Sequence, residues 1–375
     1  VLHRFHEVGH GAVLGGCIVV AVCAARLDGQ RIDIHASLHD LEAAAQADSM
    51  EATNQFLLAS AYWSHHKLDL AEARLRRAIA LDPRYTDAYL ALAQLPYARR
   101  PTLGLEVLDG RVPEAWRPRV EEAARFRRLA FLLDPLADID TPSSPADTER
   151  QPIKDARERF RRLDELVRRR YPDPADTPGD VLFSHGIQAT RAGRFPDAIA
   201  DFTVLLERLE NRERDSTTEP FSTDHIRYIL AELDRRAGRF DEAVRLYREA
   251  AERDAGLFMA HVRQADILEA AGRFEEAVTE RGLAVTADPE DPTLLVDLAR
   301  TLVVAGRPAE AEAPLRQAVA WNPPDPRALY LLGLVTLSLA DTVEARAAFV
   351  RFIALAPRRL AARVTEARQR LDALR

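Results

Sequence analysis

Gly238-Arg239-Phe240-Asp241-Glu242-Ala243 is answered thirty-four residues later by Gly272-Arg273-Phe274-Glu275-Glu276-Ala277. Another thirty-four residues lead to Gly306-Arg307-Pro308, and thirty-four more to Ala340-Asp341-Thr342. Alanines keep the period behind these turns at Ala243, Ala277, Ala311 and Ala345, and prolines keep it at Pro289, Pro323 and Pro357. Gly193-Arg194-Phe195, with Ala198 and Phe202, is an earlier copy, displaced by an insertion near residues 211–221. Glycine suits a tight bend between two helices, and proline stops the second one. A fixed period of this size marks a repeat architecture, so the spacing predicts five stacked helix pairs over residues 179–358.

The period and these residues resemble the tetratricopeptide repeat, a helix–turn–helix unit. In that resemblance, the small residue where the first helix (helix A) crosses the second (helix B) is Gly186, Ala231, Ala265, Ala299 or Gly333. Helix B then offers a bulky residue: Phe202, Tyr247, Leu315 or Phe349. Arg281 takes that place in its own unit, which predicts weaker or rearranged packing there. The helix-A tryptophan of the family is absent throughout. The resemblance implies an all-α, right-handed superhelical solenoid. Small residues at the crossings allow the close helix approach this needs.

Working outward, residues 26–137 carry a divergent copy of the pattern. Leu58-Ala59, Tyr62, Ala71, Ala78 and Asp82-Pro83 fit the template, and residues 123–135 repeat residues 71–83. An insertion is placed near 96–113, with Thr102 to Val112 expected as an irregular or short extended excursion. Residues 138–152, rich in Pro, Ser, Thr and Asp, read as a linker. Residues 153–178 read as a connecting helix with Ala156, Phe160 and Leu163 on one face and arginines on the other. Residues 359–375 read as the terminal helix a solenoid needs to cover its last apolar face.

The chain has 375 residues and a net charge of −7, which argues against general nucleic-acid binding. Its two cysteines, Cys17 and Cys23, sit in an uncharged apolar stretch over residues 8–25, which excludes a disulfide scaffold. Residues 1–25 read as a signal peptide or short membrane anchor. An exported (periplasmic) or membrane-anchored protein is therefore expected, with a cytoplasmic one as the other reading. His6-Glu7-Val8-Gly9-His10 matches the H-E-x-x-H helix of zincin metallopeptidases, in which His6 and His10 would hold zinc and Glu7 would act as base. His3 and Arg4 stand where such a helix is apolar, so the residues read better as a histidine-rich leader. No metal or other cofactor is expected. His35 and His39 share the same spacing but lie among Ile34, Leu38 and Leu41, as in an ordinary amphipathic helix.

The family template places a partner-binding groove along helix A of each unit. Its residues are Phe183 and Ile187, then Tyr228, Glu232 and Arg235, then Val262, Asp266 and Glu269, then Val296 and Arg300, and last Tyr330 and Leu334. Apolar anchors beside charges of both signs suit a peptide or protein segment. The lysine- and asparagine-based carboxylate clamp of chaperone-binding members is not matched. Tyr228 and Tyr330 are the expected anchors, lying outside the inter-repeat core. His65, His66, His185, His225 and His261 are scattered over helices without paired acids or nucleophiles, and no phosphate-binding loop or nucleophile elbow occurs. A non-catalytic interaction scaffold is the expected function. The alternatives are the sensor or adaptor half of a membrane signalling protein, and a zinc peptidase fragment with a repeat tail.

Overall fold

The structure, a computed structural model, describes residues 37–137, 151–173, 176–213 and 223–374. The apolar segment and the H-E-x-x-H residues lie outside them. Among the described residues 81% are helical and none forms a strand. The helices are α1 (Leu38–Ala47), α2 (Ala52–Ser64), α3 (Leu68–Leu81), α4 (Thr86–Arg99), α5 (Leu103–Leu108), α6 (Arg117–Leu133) and α7 (Gln151–Arg170). Five helix A–helix B pairs follow: α8 (Gly179–Arg191) with α9 (Phe195–Glu213), α10 (Thr223–Arg236) with α11 (Phe240–Arg253), α12 (Phe258–Ala270) with α13 (Phe274–Ala287), α14 (Pro292–Val304) with α15 (Pro308–Trp321), and α16 (Pro326–Ser338) with α17 (Thr342–Leu355). Helix α18 (Ala361–Ala373) ends the chain. The fold is an all-α solenoid of repeats. It divides into two compact units, Ala93–Asp254 and Asp33–Leu92 with Ala255–Arg375.

Each hairpin closes through the same backbone device. After α12 the Arg273 N–H donates to the Leu268 carbonyl at 2.8 Å and the Gly272 N–H to the Glu269 carbonyl at 3.0 Å. This pair of bonds requires a left-handed residue. Gly193, Gly238, Gly272 and Gly306 supply it with φ between 67° and 79°. Ala340 takes the same conformation at φ 65°, and His66 does so between α2 and α3 at φ 56°. A side chain there costs on the order of 1 kcal/mol against glycine. Two helix starts repeat another device. Asp291 and Asp325 each accept a backbone N–H two residues ahead at 2.8 Å, with proline at the first helical position.

The helix crossings show why the small residues recur. Ala231, Ala265 and Ala299 are fully buried, as are their helix-B counterparts Ala198, Ala243, Ala277, Ala311 and Ala345. At Gly186 an added Cβ would fall 2.8 Å from the Phe202 ring, and at Gly333 it would fall 2.7 Å from the Phe349 ring. Glycine therefore stands where the facing residue is phenylalanine, whereas Ala299 occurs in the unit carrying Leu315. In the last two pairs the core runs through Leu295, Leu302, Leu315, Leu332, Phe349 and Phe352 to Ala367 of α18.

The excursion expected at 102–112 is instead helical over Leu103–Leu108. Leu103 is fully buried, and Arg100 grips Glu106 through two nitrogens at 2.7–3.1 Å. Gly110 at φ 67° then closes the turn with an Arg111 N–H bond to Glu106 of 2.8 Å. Burying one leucine and closing with glycine favour a short helix over an extended strip. Among the described residues no helix is long and apolar enough to cross a membrane.

Gly333→Ala is expected to lower stability by about 1–3 kcal/mol, because the Phe349 ring must shift. Phe349→Leu should cost less in the Gly333→Ala background than in the wild type. A urea-denaturation double-mutant cycle measures that coupling, and zero coupling would remove the steric account.

Candidate functional site

The helix-A faces carry the projected groove residues, and much of each face is covered by the chain itself. In the first unit Phe183 and Ile187 on α8 are half-buried, with the Phe183 ring edge-on to Phe202 at 5.7 Å. Tyr228 on α10 is 1% exposed. Its hydroxyl donates to the Leu132 carbonyl of α6 at 2.5 Å, and its ring meets Phe131 at 5.8 Å and Tyr247 at 5.9 Å. Glu232 is equally buried and accepts from Arg235, Arg236 and the Tyr247 hydroxyl at 2.6–2.9 Å. The Glu232 hydrogen bond and charge raise the Arg235 pKa despite the burial of the guanidinium. Arg236 reaches on to Asp134 through two bonds of 2.9 Å, so the end of α6 sits over this face.

In the second unit Val262 and Val296 are buried, and Leu334 packs against the core. Tyr330, 8% exposed, lies under α18. Its hydroxyl donates to Glu366 at 2.5 Å, and the Arg363 guanidinium stands 5.5 Å over its ring. Burial and the Glu366 carboxylate push its pKa up to about 12. The two tyrosines are thus interior side chains, contrary to the expectation that they lie outside the core. The template places them on helix A correctly but cannot see which other helices settle on that face.

Asp266 and Arg300 stay accessible, with Glu269 largely covered between them. Asp266 and Arg300 are 44% and 45% exposed, and Arg300 spans two successive helix A elements to reach Glu269 at 2.8 Å. Beneath them lies Arg281, 1% exposed on α13. Its guanidinium donates to Asp266 at 2.6 Å, Glu269 at 3.1 Å, and Thr301 and the Val262 carbonyl at 3.3 Å. Packing is thus rearranged around the arginine, which exchanges an apolar contact for a hydrogen-bonded ion cluster. Burial alone would push the Glu269 carboxyl up. The hydrogen bonds from Thr301 and Arg300 and the charges of Arg281 and Arg300 outweigh it and hold the pKa low.

The histidines that lack acidic neighbours in sequence gain them in the fold. His261 Nδ1 lies 2.8 Å from Glu280 of α13. His185 on α8, 6% exposed, holds Asp201 of α9 at 2.7 Å on Nδ1, and Asp164 of α7 lies 3.5 Å from Nε2. Phe160 of α7 covers the imidazole at 4.9 Å. These acids sit sixteen and nineteen residues after their histidines, and Arg281 sits fifteen after Asp266. That offset pairs helix A with helix B, and it is the sequence signal by which all three contacts can be found.

A tetratricopeptide repeat family profile matches residues 282–335, and a second matches residues 56–101 and 228–292. These parts of the chain are tetratricopeptide repeats. Such repeats build protein-interaction scaffolds, and that is the general role of this chain. Similar solved structures include MamA, 14% identical over 47% of this chain and 90% of that one, with a TM-score of 0.40. Yeast Tom70 is 15% identical over 90% of this chain and 91% of its own, with a TM-score of 0.34. A tetratricopeptide repeat protein of Thermus thermophilus is 19% identical over 52% of this chain and 98% of its own, at 0.31. No curated protein sequence matches this one.

Arg281→Ala removes the buried cation that joins Asp266 and Glu269 and should cost about 3 kcal/mol, the scale for breaking a buried ion pair, as read by chemical denaturation. His185 supplies a pH dependence. The Asp201 hydrogen bond, with the charges of Asp201, Asp164 and Asp197, raises its pKa against the effect of burial. Arg168 faces the same cluster, 2.6 Å from Asp164. A pKa raised by folding means full stabilisation below the ordinary value of about 6.5 and loss as pH climbs through the folded value. Thermal stability should therefore fall as the pH rises above about 6.5 in the wild type, and His185→Gln should flatten that slope.

Proposed function

We propose that this scaffold docks a peptide or protein segment on the helix-A face of α12 and α14, at the strip formed by Asp266, Glu269 and Arg300. The observation that carries the reading is the accessible charge of Asp266 and Arg300 on successive helix A elements, anchored from below by Arg281. A fixed array of both charge signs selects a ligand by complementary charge and sets its register. Phe183 and Ile187 offer a second, apolar stretch on α8 in the other unit. Tyr228, Glu232 and Tyr330 support these faces from within, and Val262 and Val296 form their floor. The reading needs no catalytic group and no cofactor. We further propose that residues 8–25 direct the scaffold out of the cytoplasm or tether it to a membrane.

A partner captured by pull-down and then titrated against variants tests the docking face. Arg300→Ala should cost about 1–3 kcal/mol of affinity, the range for interface hot spots, while leaving the melting curve in place. Arg316→Ala, on an exposed part of helix B, should bind as the wild type does. The reverse pattern would move the interface to the helix-B side.

A further inference from the structure

Beside the Asp266, Glu269 and Arg300 strip, the Asp297 carboxylate is reached by another arginine that comes from far away in the chain. Arg84, in the turn between α3 and α4, forms an ion pair with Asp297 of α14 across 213 residues. Asp297 stands next to Val296 on the helix-A side, and its carboxylate is 4.0 Å from Arg281. Arg84 therefore enters the same connected cluster as Arg281, Glu269 and Arg300. Two further contacts hold the same N-terminal segment within this unit. The Arg358 N–H donates to Asp48 at 2.8 Å, and the Arg359 guanidinium meets Glu51 at 2.6 Å. Tyr89 lies near Asp288 and Asp291, and burial together with these charges and Asp82 pushes its pKa up to about 12.

We infer that the segment from Asp48 to Tyr89 is a charge-held latch, in which Arg84 occupies the Asp297 carboxylate beside the docking strip as an intrachain ligand and competes with the docking partner. The inference rests on the docking reading for its competitor and on the contacts just given for the latch itself. Three features suit a releasable contact rather than a permanent one. Its sequence-distant pairs are ionic, and Arg359 is 54% exposed, so salt weakens that pair. Arg84 uses one nitrogen on Asp297, while its buried Nε and Nη2 have no hydrogen-bond partner among the described residues. A buried guanidinium bonded at one of three nitrogens leaves two donors unsatisfied, so the closed contact is weaker than a bidentate pair. The latch also ties a segment near the start of the described chain to α14 and to the residues just after α17.

Hydrogen exchange of the full chain at low and high salt tests the latch. Peptides covering residues 80–92 and 292–304 should exchange faster at high salt, and faster at low salt in Arg84→Ala and Arg359→Glu. Adding Glu51→Arg to Arg359→Glu restores the pair with its charges exchanged and should return protection, which separates latch opening from misfolding. Equal protection in wild type and Arg84→Ala, or no rescue by the exchanged pair, overturns the latch and leaves the docking face to be judged by partner titration. For competition, the probe is a synthetic peptide of residues 80–89. If the closed form is favoured about ten to one, Arg84→Ala should bind it about tenfold more tightly than wild type. Equal affinity would overturn the competition.

Discussion

The repeats depend on the close approach of helix A to helix B. At each crossing one helix must present almost no side chain, because the other presents a large one. Gly186 and Gly333 meet phenylalanine rings at distances that leave no room for a methyl group. Ala231, Ala265 and Ala299 hold the same place in the other pairs, completely buried. Once the crossing is fixed, the thirty-four-residue period follows from two helix lengths plus their turns. The left-handed closure sets where the second helix starts, and capped or proline-led starts set where the next pair begins. Stacking then buries the apolar face each pair cannot cover alone.

That constraint explains which features could be read from sequence. The crossing residues and turn glycines recur at one period, so the helix pairs, their order and the all-α class follow from spacing alone. The last turn was legible even without its glycine, since Ala340 keeps the position and adopts the same left-handed backbone. What spacing could not show is what lies upon the helix-A faces. Tyr228 looks like a groove residue in its own repeat, yet its hydroxyl is satisfied by Leu132, ninety-six residues earlier. Tyr330 is covered by α18 in the same way. Among the described residues, the projected groove positions that remain exposed are Asp266 and Arg300.

Arg281 illustrates how a repeat tolerates a breach of its own pattern. Equivalent positions hold Phe202, Tyr247, Leu315 and Phe349, all fully buried. An arginine there would be costly if alone, since a buried charge needs compensating partners. Asp266 and Glu269 from its own helix A and Thr301 from the next supply them. The cluster links two repeats through directional bonds where their neighbours rely on shape. The same carboxylates also reach the surface, so the exception in the core and the charge outside it are one arrangement.

The local closure of each hairpin has a consequence for the order in which the chain can assemble. Every turn joins residues five or fewer apart through backbone bonds, and every crossing joins residues less than twenty apart. Such contacts form early because little chain entropy is lost in closing short loops. The pair between Arg84 and Asp297 spans 213 residues and can form only after the intervening helices have found their places. During synthesis the N-terminal segment therefore emerges as helices long before α14 exists to receive it. Asp297 therefore lacks that partner until the helices between them have stacked, although Arg84 is present from the start.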